Sequence, residues 1–371
     1  MSAPPLTITR GPQSARTAAP APEAPTPLLE PRALLWAAGA AILNIAAIYL
    51  GSGRLARFDP ALIAYTAACV LCTFGVVYRY TVWLEKPPTA LYWRRGWQLF
   101  LRPSHLPRNV VYLAKLLWTQ IIAQKFIDRR SHLRWEAHLL MSWGCMVAFA
   151  VTIPLCFGWV SFEADPANPA NYVAYLFGVK AGAFPADSLV GWATFHILDF
   201  CAVAVIAGMA LAMKRRLYDP GALTVQQFAM DFLPLILLFA VAITGLMLTV
   251  SSLCLQGHSY SFLALLHAFS VILLLLYLPF GKFFHIFQRP ANLGVQFYKQ
   301  EGHETAQAVC HACGASYASQ MHVDDLKAVL AELGFDQTME DGTHYQEICP
   351  ACRRKLLAAN QLEAIGGPGF L

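Results

Sequence analysis

Charge is scarce in this sequence. Asp, Glu, Lys and Arg make up 13% of its 371 residues, about half the share of an ordinary soluble domain, which excludes a water-soluble globular protein as the description of the whole chain. No glycine-rich cradle for phosphates is present, nor a nucleophile spaced with a base, so the chain offers no catalytic residue of its own for a soluble substrate. There is no half-to-half repeat and no matched pair of broken helices, which counts against a transporter. The net charge of +5 arises from loop asymmetry rather than from a basic patch and gives no case for nucleic-acid binding.

What fills the chain is apolar: 57% hydrophobic residues and a mean hydropathy of +0.47. Six runs have the length of bilayer-spanning helices, at about 33–52, 61–84, 135–160, 188–213, 227–250 and 259–287. The expected fold class is an all-α membrane protein with a six-helix bundle. Residues 1–32, rich in Pro and Ala, read as a disordered tail rather than a cleaved signal peptide. The bundle is expected over 33–290, and a small soluble domain over 291–371.

Orientation follows from the cations, since cytoplasmic loops carry the excess. The loop 85–134 holds nine Lys and Arg residues from Arg94 to Arg134, and Lys214, Arg215 and Arg216 follow the fourth run. By contrast, 161–187 has only Lys180 against Glu163, Asp165 and Asp187, and 251–258 has no Asp, Glu, Lys or Arg at all. Six spans then place both termini in the cytoplasm, with Arg54 and Arg57 as a mild violation outside. Within the long loop, RNVVYLAKLLWTQIIAQKF is amphipathic, and reads as a helix on the inner membrane surface or on the cytoplasmic ends of the bundle.

Past Pro290 the chain becomes polar and contains Cys310-His-Ala-Cys313 and Cys349-Pro-Ala-Cys352. Two CxxC knuckles in a domain too small for a generous core point to a tetrahedral four-thiolate metal site. Zinc is the first reading, because it would staple a small domain. Iron in the same ligands would carry electrons instead. The knuckle CHACGASY resembles that of rubredoxins, whereas CPACRRK, with Arg353 where a rubredoxin has glycine, looks more like a zinc ribbon. Between the knuckles, VDDLKAVLAELG reads as an amphipathic helix ended by Gly334. Cys69 and Cys72, mid-span, read as packing residues.

Four histidines fall inside the apolar runs. His267 and His285 are eighteen residues apart, five turns of one helix and roughly 27 Å along it, and so are expected on one face near opposite membrane surfaces. His138 and His285 each lie a few residues inside the cytoplasmic end of a run, so they match in depth; His196 and His267 match near the outer end. Intramembrane imidazoles are costly unless functional, and neutral imidazole is a haem-iron ligand. Asp199, one turn from His196, is expected to orient that imidazole, to relay a proton, or to bond a neighbouring helix.

The stretch from His267 to Lys299, with LLYLPFGK, His285-Ile286-Phe287 and Pro290, resembles the last transmembrane helix of the gamma subunit of respiratory nitrate reductase, a b-type cytochrome. The stretch MKRRLYDPGALTVQQFAMDFLPLILLFAVAITGLML resembles that family's preceding connection, and the likeness covers about 61–300. The same domain type serves as a membrane subunit in heterodisulfide-reductase-like and sulfite-reductase-associated complexes. The resemblance implies haem b ligands at His267, His285 and His138, while the family's fourth histidine falls on Ala148. Either the outer haem is absent or His196 supplies its ligand, giving one or two haems. It further implies a quinone or quinol substrate near the outer side, a cytoplasmic iron–sulfur partner subunit, and a place in the bacterial cytoplasmic (inner) membrane. The rivals are a proton-coupled transporter and a non-redox membrane anchor whose zinc domain docks another protein.

Overall fold

The computed structural model describes residues 30–219, 226–339 and 341–364. Residues 1–29 of the expected tail, and 220–225 of the second stretch quoted above, lie outside these. The chain is mostly helical: α1 (Pro31–Gly51), α2 (Ile63–Glu85), α3 (Pro87–Phe100), α4 (Leu106–Leu116), α5 (Lys125–Asp128), α6 (His132–Cys156), α7 (Leu189–Tyr218), α8 (Leu233–Cys254), α9 (Tyr260–Tyr277), α10 (His285–Glu304), α11 (Gln320–Glu332) and α12 (Pro350–Ala364). Strands β1 (Val160–Asp165), β2 (Asn168–Leu176) and β3 (Val179–Pro185) form one sheet, and β4 (Gln307–Val309) pairs with β5 (Ser316–Ser319). The chain divides into two compact units. One comprises Glu30–Val82 with Ala114–Pro290, and the other contains Trp83–Leu113 and the residues from Ala291 onward.

In the first unit, six helices are long and apolar enough to cross a membrane: Pro31–Gly51, Pro60–Glu85, His132–Cys156, Leu189–Tyr218, Phe228–Cys254 and Tyr260–Tyr277. Their outer faces expose large apolar side chains, among them Leu35 at 74% and Phe262 at 66%, which a surface meeting water avoids over so wide a patch. Helices α6 and α7 approach closely. A Cβ on Gly144 would lie 2.8 Å from the Cys201 carbonyl oxygen, and one on Gly208 would lie 2.7 Å from that of Ala137. Small residues at such crossings let backbones meet without a water-driven force.

The sixth apolar run departs from its expected form. It is not one helix over 259–287: α9 stops at Tyr277, and α10 begins at His285. Pro279 lacks an N–H and cannot continue the ladder, and just past the helix end Arg79 of α2 donates to the Pro279 carbonyl at 2.5 Å. The Arg79 guanidinium also lies 4.3 Å from the centre of the Phe284 ring. His267 and His285 therefore do not share a helix face, and the expectation of five uninterrupted turns between them is corrected.

A second departure is the antiparallel sheet β1-β2-β3, where the sequence had offered only an outer loop. Its second hairpin turns on Phe177 and Gly178, at φ of 50° and 80°, the two positive angles that a tight two-residue hairpin requires. Val173 is buried beneath it, and Phe162, Tyr172 and Phe184 pack their rings on Phe195 of α7. Arg57 donates to the Gly51 carbonyl at 3.0 Å, so one of the two cations that broke the charge rule is spent on tying a turn.

The second unit is held by α10 and the helices of the long loop. A Cβ on Gly96 would stand 2.9 Å from the Gly294 Cα, and Phe100 and Tyr112 set their rings edge-on against Phe297. Asp325 of α11 is buried and accepts from Arg95 at 2.8 Å and from the Tyr298 hydroxyl at 2.9 Å. Charge-assisted bonds to a buried carboxylate exceed neutral ones. Asp325→Ala should therefore cost the unit about 2–3 kcal/mol, read as earlier proteolysis of 291–364 in the full chain. Burial, then Asp325, pushes the Tyr298 phenol up. A group raised in the folded state contributes its stability below its ordinary range and loses it as pH rises, so this contact loosens only in strongly alkaline solution.

Candidate haem and metal sites

His138 leaves α6 on the side where His285 opens α10, and the structure brings the two imidazoles together with ring centres 6.3 Å apart at an interplanar angle of 63°. Two imidazoles that shared one metal, at about 2.0 Å to each nitrogen and about 1.1 Å more to each ring centre, would have ring centres roughly 6.2 Å apart. The ring-centre separation of the pair is close to that value.

The nitrogens are sorted by what they touch. His285 Nδ1 lies 2.6 Å from the Lys282 carbonyl oxygen, which can only accept, so this nitrogen carries the proton. His138 Nδ1 lies 2.7 Å from Gln124 Oε1. Gln124 Nε2 donates to Ser142 Oγ at 2.7 Å, and the Ser142 hydroxyl donates onward to the Leu139 carbonyl at 3.2 Å. With each donor assigned one acceptor, His138 Nδ1 is also the protonated nitrogen. Both rings then keep the lone pair on Nε2. A metal-binding imidazole ordinarily has its second nitrogen held in this way by an oxygen acceptor.

The other two histidines are prepared alike but are not brought together. His267 Nδ1 lies 3.0 Å from Thr244 Oγ1, whose own proton goes to the Ala240 carbonyl at 2.6 Å. His196 Nδ1 lies 2.8 Å from Asp199 Oδ2, and Thr249 of α8 donates to Asp199 Oδ1 at 2.7 Å. Asp199 thus orients the imidazole and ties α7 to α8 at once. His196 packs against Trp192; among the described residues no ring contact joins it to His267. Arg215 and Arg216 face Asp219 and Asp231 at 3.8 and 3.4 Å.

In the second unit, one sulfur from each of Cys310, Cys313, Cys349 and Cys352 lies within 4.8 Å of all the others, and the four could hold a metal ion. The Cys313 and Cys349 sulfurs are 3.8 Å apart, the edge expected when four thiolates stand about 2.3 Å from a central ion in a tetrahedron, roughly 3.8 Å. The hairpin β4–β5 carries the first knuckle, with Gly314 at φ 68° making the turn. Pro350 opens α12, so Cys349 and Cys352 sit at a helix start. Burial alone would raise the Cys310 thiol. Backbone donors at Cys349, Cys313 and Ala312 outweigh it and bring the thiol down to about 6. Arg353 turns aside to Gln346 Oε1 at 2.6 Å and the Tyr345 ring. Ile348, Tyr317 and Leu356 complete a small apolar cluster around the cysteines.

Sequence reasoning missed Gln124, whose only written signal is its place just before the run that bears His138. Cys72 joins Ala68, Val76, Leu275 and Leu278 in an apolar cluster. Comparison with family models, characterised proteins and solved structures returned no match.

Proposed function

We propose that this chain is the b-haem membrane subunit of a quinone-linked respiratory oxidoreductase, of the kind its last apolar stretch resembles in the nitrate reductase gamma subunits. The observation that carries the reading is the His138–His285 pair: two imidazoles at a bis-ligand separation, each with Nδ1 held on an oxygen acceptor. His138 lies near the start of an apolar helix with a lipid-suited outer face, and His285 lies beyond the last such helix, which ends at Tyr277, so the reading puts the site at one end of the bundle. His138 and His285 would hold the iron, and a bound haem would supply one-electron transfer across part of the membrane. The residues' task is to fix the imidazoles, keep both Nε2 atoms deprotonated and exclude water.

Near the other end, His196 with Asp199, and His267 with Thr244, are basic nitrogens set for a second haem or for the hydroxyl of a quinol. Both termini are proposed to be cytoplasmic, in a bacterial inner membrane, with an iron–sulfur subunit as partner on that side. The four-cysteine site is proposed to hold zinc, which suits a docking domain; iron in the same ligands would make it a relay. Metal analysis of the purified chain distinguishes them. For the function itself, a short-chain quinol added to oxidised membrane vesicles holding the full chain should develop a reduced b-type alpha band within seconds. A haem spectrum that stays oxidised with quinol but is reduced by dithionite would contradict the quinone link.

A further inference from the structure

We propose that Gln124 is a positioning residue that fixes the His138 tautomer and sets the electron donation of that imidazole through one neutral hydrogen bond. The inference rests on the reading of His138 as a haem ligand. Gln124 is 5% exposed and adopts φ 50°, ψ 36°, the left-handed region that a residue with a Cβ ordinarily avoids. Strain of this kind persists where the surroundings demand it and clusters at functional positions. If only the turn mattered, Gly or Asn would serve the backbone better.

The surroundings are built to present this side chain. The indole of Trp135 donates to the Ala123 carbonyl at 2.7 Å, and that of Trp143 donates to the Ile122 carbonyl at 3.1 Å. Both tryptophans come from α6, as do His138 and Ser142, so the segment ending at Gln124 is fastened to the helix it serves. The amide then bridges His138 and Ser142, both at 2.7 Å. A buried amide with both ends satisfied leaves no freedom to flip.

The chemistry of the acceptor matters. A carboxylate on Nδ1–H draws the proton and makes the imidazole a stronger donor to a metal, as Asp199 is placed to do for His196. Gln124 gives His138 a neutral acceptor, and the Lys282 carbonyl does the same for His285. The pair is thus kept as ordinary neutral imidazoles, which favours the reduced iron more than a carboxylate-backed pair would.

The test uses the full chain in membranes, with a redox titration followed at the alpha band. Gln124→Glu should lower the midpoint potential, Gln124→Leu should raise it, and haem content should remain close to that of wild type in both. Gln124→Gly, which relieves the backbone but removes the amide, should follow Gln124→Leu. A merely structural role predicts instead that Gly behaves as wild type, or that every variant shifts the same way with haem loss; either result overturns the proposal. Should Gln124→Leu fail to insert, the sign for the near-isosteric Gln124→Glu decides alone. Haem present with unmoved potentials defeats this inference and spares the ligand reading, whereas a wild-type chain without haem defeats the ligand reading and this inference with it.

Discussion

Replacing either His138 or His285 with alanine should abolish the haem that the two are proposed to share, lowering haem content by one per chain, while the protein still accumulates in the membrane. Each ring would supply one nitrogen to the proposed iron, and alanine leaves a methyl group in its place. Other contacts hold the bundle together. Helices α6 and α7 meet through Gly144 and Gly208, and the break before His285 is held by Arg79 on the Pro279 carbonyl. Haem extracted as its pyridine complex, measured against protein in the same membranes, gives the ratio. His267→Ala is the companion, and should leave this haem in place because His267 bonds Thr244 on another helix pair. Unchanged content in both His138→Ala and His285→Ala would mean that the two imidazoles only pack against each other.

Removal of metal from the cysteine site should unfold its surroundings just as completely. Apparent binding energies of structural zinc in small thiolate sites are about 10–16 kcal/mol, comparable with or larger than the entire stability of a small domain. Cys349→Ser removes one ligand and also the sulfur that accepts from the Cys352 amide at 3.5 Å. The region 307–364 should then be cut by protease at least tenfold faster than in the wild-type chain, and a strong chelator should do the same to wild type. Acid should act likewise, because protons compete for the thiolates. Haem content should not change, since its proposed ligands belong to the other unit. Equal protease resistance with and without the metal would show a cysteine cluster that folds unaided.

The six apolar runs were legible because length and lack of charge suffice to mark them, and the cysteine site because CxxC spacing survives any fold. The meeting of His138 and His285 could be anticipated from equal depth alone. The break between α9 and α10 was hidden by composition: 259–287 is apolar on average, so hydropathy runs over Pro279 and Gly281 as if they were helical. Those two residues were the signal, and the break is met by a guanidinium from another helix, Arg79, donating to the Pro279 carbonyl. The sheet β1-β2-β3 escaped for a different reason. Its strands bury little beyond Val173, so no strong alternation is written into 160–185, and its hairpin rests on Phe177 tolerating a positive φ. That Trp83–Leu113 packs with the cysteine-bearing segment was likewise illegible, because Gly96 against Gly294 and Arg95 on Asp325 are pairings about two hundred residues apart.

The central claim is that two imidazoles share one iron, and low-temperature electron paramagnetic resonance of the oxidised full chain tests it most directly. Two nitrogen ligands of this kind would impose a low-spin ferric signal, which should be present in wild type and diminished by one haem per chain in both His138→Ala and His285→Ala. A high-spin ferric signal, or no haem signal in a chain purified with its metal intact, would contradict the account.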